Sequence, residues 1–302
     1  MNNDLANELM DESSSFFVSI HDFIRESTSS FNKTNNKSTI EKDVTIKYMV
    51  EWLKILDSIA ILFYQGRVDS AQVLTRTLFE ITLQLCYLTK DKKYVRDKAG
   101  YIIVVADIKK YKYNKVLLEN KEKYKLDTQE EKIKNEEIIT NLRNSNILEI
   151  REAFEFIENK ILFRKKNIKE WYEIYSSRHD MIHIGSNRQL CKAIEFYDGE
   201  KEKEILVYDL VYDILSQQAH GITAIDSFRI IDGEQRFRKY DCLSNGAWQI
   251  NSIYKMLLKI VGTLKSTFDE EFYIDRELLV KYNEEMRRIK EKWNKAFKSS
   301  QD

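Results

Sequence analysis

Apolar residues recur along most of this chain at intervals of three, four and seven, the spacing that gathers them on one face of an α-helix. Leu5, Leu9, Phe16, Ile20 and Phe23 predict a first helix over about Asp4 to Ser29. A polar loop around Asn32–Thr39 follows, and Ser38 and Glu41 have the S-x-x-E spacing of a capping box. The second helix should end near Gln65, with Gly66 placed to take up the left-handed conformation that closes many helices. The third, Asp69 to Thr89, is apolar around most of its circumference, the mark of a central helix. Its polar exception is a line four residues apart: Gln72, Arg76, Glu80 and Gln84. Lys92–Glu119 forms a fourth helix with Tyr101, Ile102, Val105 and Ile108 on its apolar stripe; Lys109–Lys125 is charge-rich and expected on the surface. Asp127–Leu142 reads as a surface helix, followed by helices at Ile147–Phe163 and Ile168–Ile184.

After Gly185 the period changes. Cys191–Tyr197 and Glu204–Tyr208 alternate on either side of Asp198-Gly199, which predicts a short hairpin over 191–208. Helices resume at Asp209–Ile231, Ala247–Thr267 and Asp275–Phe297, the last with Asp275 as its N-cap. No repeat of solenoid length is visible. The expected fold is all-α, a helical bundle with a small β-hairpin insertion and a helical C-terminal extension. Its expected parts are an N-terminal helix and loop (1–44), the bundle (45–232) and the extension (233–302), unless the three form one continuous domain.

Composition supports long helices. The 302 residues include no proline, so the commonest helix breaker is missing. At 43 % hydrophobic residues the chain can build a sizeable core. Forty-nine basic residues balance forty-nine acidic ones, so any attraction to phosphate must come from a local cluster. Cys86, Cys191 and Cys242 are far apart and form no CxxC pair, which argues against a zinc ribbon or a disulfide framework. The acidic start lacks the pattern of a signal peptide, and Ile59–Tyr64 and Tyr101–Ala106 are too short to cross a bilayer. A soluble, cytoplasmic protein with no membrane partner is expected.

Of the four histidines, His21, His179, His183 and His220, two fall in one short segment, Trp171-Tyr-Glu-Ile-Tyr-Ser-Ser-Arg-His-Asp-Met-Ile-His-Ile-Gly185. Arg178 and His183 stand near a helix end there. A guanidinium is permanently charged and matches two phosphate oxygens. An imidazole can move a proton to or from a ribose oxygen. Five positions along an ideal helix are about 140° apart, so the two converge only if the last turn loosens or a second subunit completes the cleft.

Arg178-His-Asp-Met-Ile-His183 resembles the R-x4–6-H motif of the HEPN (higher eukaryotes and prokaryotes nucleotide-binding) superfamily of helical bundles, in which a polar residue such as His179 usually follows the arginine. Arg76-Thr-Leu-Phe-Glu80 and Tyr175-Ser176 are similar to an uncharacterised bacterial family of HEPN-like proteins, over roughly residues 45–230. The resemblance implies a dimeric, metal-independent endoribonuclease without cofactor. In it the ribose 2′-hydroxyl attacks the adjacent phosphate to leave a 2′,3′-cyclic phosphate. His183 would act as general acid or base, Arg178 would hold the phosphate, and His179, Asp180, Tyr175, Ser176, Arg76 and Glu80 would support the site. Members often act as toxins or in antiviral defence, which brings an antitoxin or regulatory partner into view; others keep only binding or scaffold roles.

Plainer readings stand beside this one. Arg178 could pair with a nearby carboxylate while His183 closes the helix end. His179 and His183, four apart, could be two zinc ligands, but a third is needed and Asp180 occupies the place of the glutamate in H-E-x-x-H. Arg76 and Glu80 could be an ion pair that fixes packing. Lys160, Arg164, Lys165, Lys166 and Lys169 are the candidate RNA-contacting patch, or else one solvated helix face. No P-loop, G-x-G-x-x-G or G-x-S-x-G sequence occurs, so kinase, dinucleotide-dependent and serine-hydrolase chemistries lose support.

Overall fold

The computed structural model describes residues 3–33, 38–120, 123, 128–158, 169–178, 183–195, 228–231, 234–237 and 243–298. Among them the chain is an all-α bundle: α1 (Asn3–Lys33), α2 (Ile40–Tyr64), α3 (Val68–Thr89), α4 (Val95–Glu119), α5 (Thr128–Arg143), α6 (Leu148–Ile157), α7 (Trp171–Arg178), α8 (Asn187–Ala193), α9 (Leu243–Phe268) and α10 (Arg276–Lys298). None of the described helices is long and apolar enough to cross a membrane.

The helices fall into two compact units. The first comprises residues 1–37, 46–90 and 190–302, the second residues 38–45 and 91–189. In the first, α9 packs on both α3 and α10, and α10 packs on α1. The helices after Gly233 therefore share a core with the N-terminal helix. Sequence explains the arrangement. In α10, Tyr282, Met286, Ile289, Trp293 and Ala296 are buried at alternating intervals of four and three. The rings of Phe16, Phe17, Phe63, Tyr254, Tyr282 and Trp293 form a chain of tilted and edge-on contacts. Two polar side chains inside it find partners: Trp293 Nε1 donates to Ser13 Oγ at 2.9 Å, and Gln249 Nε2 donates to the Val68 carbonyl at 3.0 Å.

Helix ends follow local chemistry. Gly66 has φ of 71°; its N–H donates to the Phe63 carbonyl while the Arg67 N–H donates to that of Leu62, the paired bonds of a Schellman motif. Asp275 Oδ1 accepts from the Leu278 N–H at 3.1 Å, as an N-cap should. The expected Ser38/Glu41 box does not form, because the Ser38 hydroxyl donates to the Asp43 carboxylate. Leu5, expected on the buried stripe of α1, is 36 % exposed.

The hairpin is the main correction. Cys191–Ala193, expected to open a strand, belong to α8, which Ser186 starts by accepting from the Gln189 N–H at 3.3 Å. The apolar residues there, Leu190, Cys191 and Ile194, are buried at helical spacing. Residues 196–208 lie outside the described residues. An antiparallel pair occurs at β1 (Phe228–Ile231) and β2 (Glu234–Phe237), with Phe228 opposite Phe237. The apolar spacing predicts the end of a helix at residues 228–231; the Asp232-Gly233 dipeptide in the sequence between the strands is the stronger signal, typical of two-residue hairpin loops.

In the second unit α4 packs against α5, α6 and α7. Gly100 allows the approach: a Cβ built there would lie 2.7 Å from the Glu149 carbonyl oxygen of α6.

Candidate functional site

α7 is described over Trp171–Arg178, whereas the apolar pattern predicts a helix through Ile184. Residues 183–185 are not helical, and His179 and Asp180 lie outside the described residues. One bond ties the segment from His183 back to α7: the Ile184 N–H donates to the buried Ser176 hydroxyl at 3.0 Å. Ser176 precedes Arg178 by two positions on the same helix. The bond therefore holds the backbone of His183 within about 12 Å of the Arg178 Cα, a span that an arginine and a histidine side chain cover together. The returning segment is pinned further. Gly185 N–H donates to Gln189 Oε1 at 2.6 Å, and the Tyr172 hydroxyl donates to Asn187 Oδ1 at 3.2 Å. His183 is exposed, and its Nε2 would lie 3.1 Å from a Cβ added at Gly185. Glycine leaves that ring its room.

Arg178 is set in a wall made by α4 and α6. Its Nη1 donates to the Tyr101 hydroxyl at 2.7 Å, and its Nη2 lies 3.5 Å from Glu152 Oε2. The guanidinium carbon is 5.8 Å from the ring centre of Tyr101 and 5.6 Å from that of Phe156. Tyr101 is fully buried and braced edge-on by Tyr175 at 5.4 Å. Burial pushes its hydroxyl up to about 12, a rise that the Arg178 hydrogen bond partly opposes. For Arg178 partial burial acts against the charge, but the bond to Tyr101 and the charges of Asp97 and Glu152 outweigh it, and the guanidinium is held even more firmly charged than usual. The Glu152 contact is a half-exposed ion pair, worth about 0–1 kcal/mol. The bond to a buried hydroxyl is the stronger anchor, at about 1.5–3 kcal/mol. An incoming anion can therefore displace Glu152 from Nη2 while Tyr101 keeps the guanidinium oriented.

The other expected site residues fall as follows. Tyr175 and Ser176 are buried on α7, one bracing Tyr101 and the other holding the turn. Arg76 and Glu80 form an ion pair within α3 at 3.2 Å, in the first unit, whereas Arg178 and His183 belong to the second. Lys169 is exposed and lies 3.5 Å from Glu173. Lys160, Arg164, Lys165 and Lys166 lie outside the described residues, as does His220. Among the described residues no group of three or more His, Cys, Asp or Glu side chains is gathered as for a metal ion. Tyr101, Glu152, Phe156 and Gln189 were not foreseen. Tyr101 had been absorbed into an apolar stripe, and nothing local links Glu152 or Phe156 to Arg178.

A family model described as a family of unknown function, DUF5677, matches residues 42–237. No curated protein and no solved structure matches the chain. With more than half of its length covered by that model, the chain belongs to the DUF5677 family.

Proposed function

We propose that this protein is a metal-independent endoribonuclease of HEPN type. It cuts RNA by attack of the 2′-hydroxyl on the neighbouring phosphate, leaving a 2′,3′-cyclic phosphate and a 5′-hydroxyl. The observation that supports the reading is the bond from the Ile184 N–H to Ser176, which ties the backbone next to the exposed His183 to the helix that carries Arg178, a guanidinium held charged. In this scheme Arg178 Nη2 exchanges Glu152 for a phosphate oxygen and stabilises the charge that develops there. His183 moves the proton of the 2′-hydroxyl or of the leaving oxygen. A homodimer would complete the cleft, and a role in toxicity or antiviral defence under the control of a neutralising partner, in the cytoplasm, belongs to the same reading.

A second reading, a non-catalytic module that binds nucleotide, RNA or protein, draws on the Glu152 ion pair and the Tyr101 bond. Both give Arg178 structural partners without any substrate. One experiment separates the two. Purified protein is incubated with total RNA and EDTA, wild type against Arg178→Ala and His183→Ala, followed by end-group analysis of fragments. The nuclease predicts cyclic-phosphate ends that vanish in both variants while the helical circular dichroism is retained. Binding without fragments in the wild type would leave only the second reading.

A further inference from the structure

The C-terminal half of α4 carries Lys109-Lys-Tyr-Lys-Tyr-Asn-Lys115, and no acidic residue occurs from Ile108 to Leu118 in a chain whose charges otherwise balance. The last turn of α4 holds no basic residue, so these lysines are not there to compensate the helix dipole. Lys109, Lys110 and Lys115 are exposed, and Tyr113 is 66 % exposed. At about 100° per residue, Lys109, Lys112 and Lys115 stay within about 80° of Tyr101 around the helix. Tyr113 stands one turn beyond Lys109.

α7 lies antiparallel to this stretch. Its far end meets Tyr101 through Tyr175 and Arg178, whereas Glu170, just before its start, accepts from Lys109 Nζ at 2.7 Å. Lys109 lies eight residues beyond Tyr101, about 12 Å along the axis. Lys169 is exposed at the same end of α7 as Glu170. Lys112 is held below its usual range by partial burial and by the charge of Lys115, so positive charge is crowded on this face. A basic track thus runs along the second unit from the Arg178 wall, with an exposed phenol ring beside it.

We propose that this half of α4 is the grip for single-stranded RNA: Lys109, Lys112 and Lys115 hold backbone phosphates while Tyr113 stacks on a base. The choice of RNA rests on the ribonuclease reading. The design itself, cations tracking a backbone beside a ring that stacks without sequence preference, is that of single-strand binding. The Lys109–Glu170 pair is half-exposed and can yield to phosphate.

The test measures binding of a short labelled single-stranded RNA by fluorescence anisotropy at several salt concentrations, on a His183→Ala background so that the probe survives. Lys109→Gln/Lys112→Gln/Lys115→Gln should weaken binding at least about tenfold at low salt and flatten the plot of log affinity against log salt by about 2, at roughly 0.7 per phosphate lost. Tyr113→Ala should weaken binding about tenfold with the salt slope unchanged. Circular dichroism confirms that each variant is folded. Unchanged affinity and slope in the triple variant overturn the grip. So does binding to anionic lipid vesicles that RNA fails to compete for. If this helix binds RNA but the wild type never cuts it, the nuclease reading falls and the grip stands. If RNA is cut while the triple variant binds as tightly as its parent, the grip alone falls.

Discussion

The backbone N–H of Ile184 donates to the hydroxyl of Ser176 at 3.0 Å, closing a loop back onto α7 two positions before Arg178. Ser176 is buried and also donates to the Glu173 carbonyl at 3.2 Å. Ser176→Ala leaves the Ile184 N–H without its acceptor, at a cost of about 1–3 kcal/mol. A loss of that size lowers Tm by only a few degrees. The effect on chemistry should be larger, because the loop places His183: RNA cleavage should fall at least about tenfold while most molecules stay folded. Initial rates measured well below Tm decide the matter. A variant that is destabilised but cuts at the parental rate would separate this loop from catalysis.

Tyr101 and Glu152 share Arg178 unequally. Tyr101→Phe keeps the ring and its contacts with Tyr175 and Phe156 but removes the acceptor of Arg178 Nη1. Glu152→Gln removes only the half-exposed ion pair. In urea denaturation Tyr101→Phe should cost about 1–2 kcal/mol, the low end for a charged donor because the guanidinium remains partly hydrated. Glu152→Gln should cost about 0.5 kcal/mol or less. Removing Glu152 also frees Nη2 for phosphate, so RNA affinity should rise in that variant. A fall would mean that the carboxylate assists the site instead of competing for it.

These contrasts mark what could be read in the sequence. Gly66 and Asp275 announced their helix ends because few residues suit a φ of 71° or an N-cap bond. The all-α class followed from spacing and the lack of proline. The non-helical backbone at His183–Gly185 did not, since Ile184 continues an apolar pattern, and its N–H bonds to the Ser176 side chain instead of to a helical carbonyl. Tyr101 looked like any member of a buried stripe, and its value to the site lies in one hydroxyl whose partner is 77 residues away. The opening of the expected hairpin was misread for a related reason: Leu190, Cys191 and Ile194 suit a helix as well as a strand, and Ser186 settles the choice by capping α8. Spacing along a chain reports which face is buried; it is silent on which distant polar atom meets it.

Alkaline pH should unfold this protein through its buried tyrosines. Burial pushes Tyr87, Tyr101 and Tyr282 each up to about 12 from the ordinary 10. The folded state therefore favours the neutral phenol. The stabilisation is complete below pH 10 and is lost as pH rises through about 12, by at most about 1.4 kcal/mol per pH unit for each tyrosine. Tyrosinate absorbance should show a late group of tyrosines ionising together with loss of helix. Tyr282→Phe, which keeps the ring but gives up the hydrogen bond to the Ser19 carbonyl, should shift the unfolding transition to higher pH. Ionisation of every tyrosine near pH 10 with the helices intact would contradict the assigned burial.

Two glycines of α9 make a paired test of packing against propensity. Alanine in a helix interior is favoured over glycine by about 0.8–1 kcal/mol. At Gly262 a Cβ would meet nothing within 4 Å, so Gly262→Ala should gain most of that. At Gly246 a Cβ would lie 2.7 Å from Trp293 Cζ3 and 2.8 Å from Cε3. The indole cannot retreat easily, because it is fully buried, edge-on to Phe63 at 6.3 Å, and donates to Ser13. Overpacking of this kind costs about 1–3 kcal/mol, which outweighs the propensity gain, so Gly246→Ala should be destabilised and should expose Trp293 to a fluorescence red shift. Equal and positive shifts in Tm for both variants would show that α10 slides away from α9 without penalty, and the close seating of Trp293 on Gly246 would then be no part of what holds the first unit together.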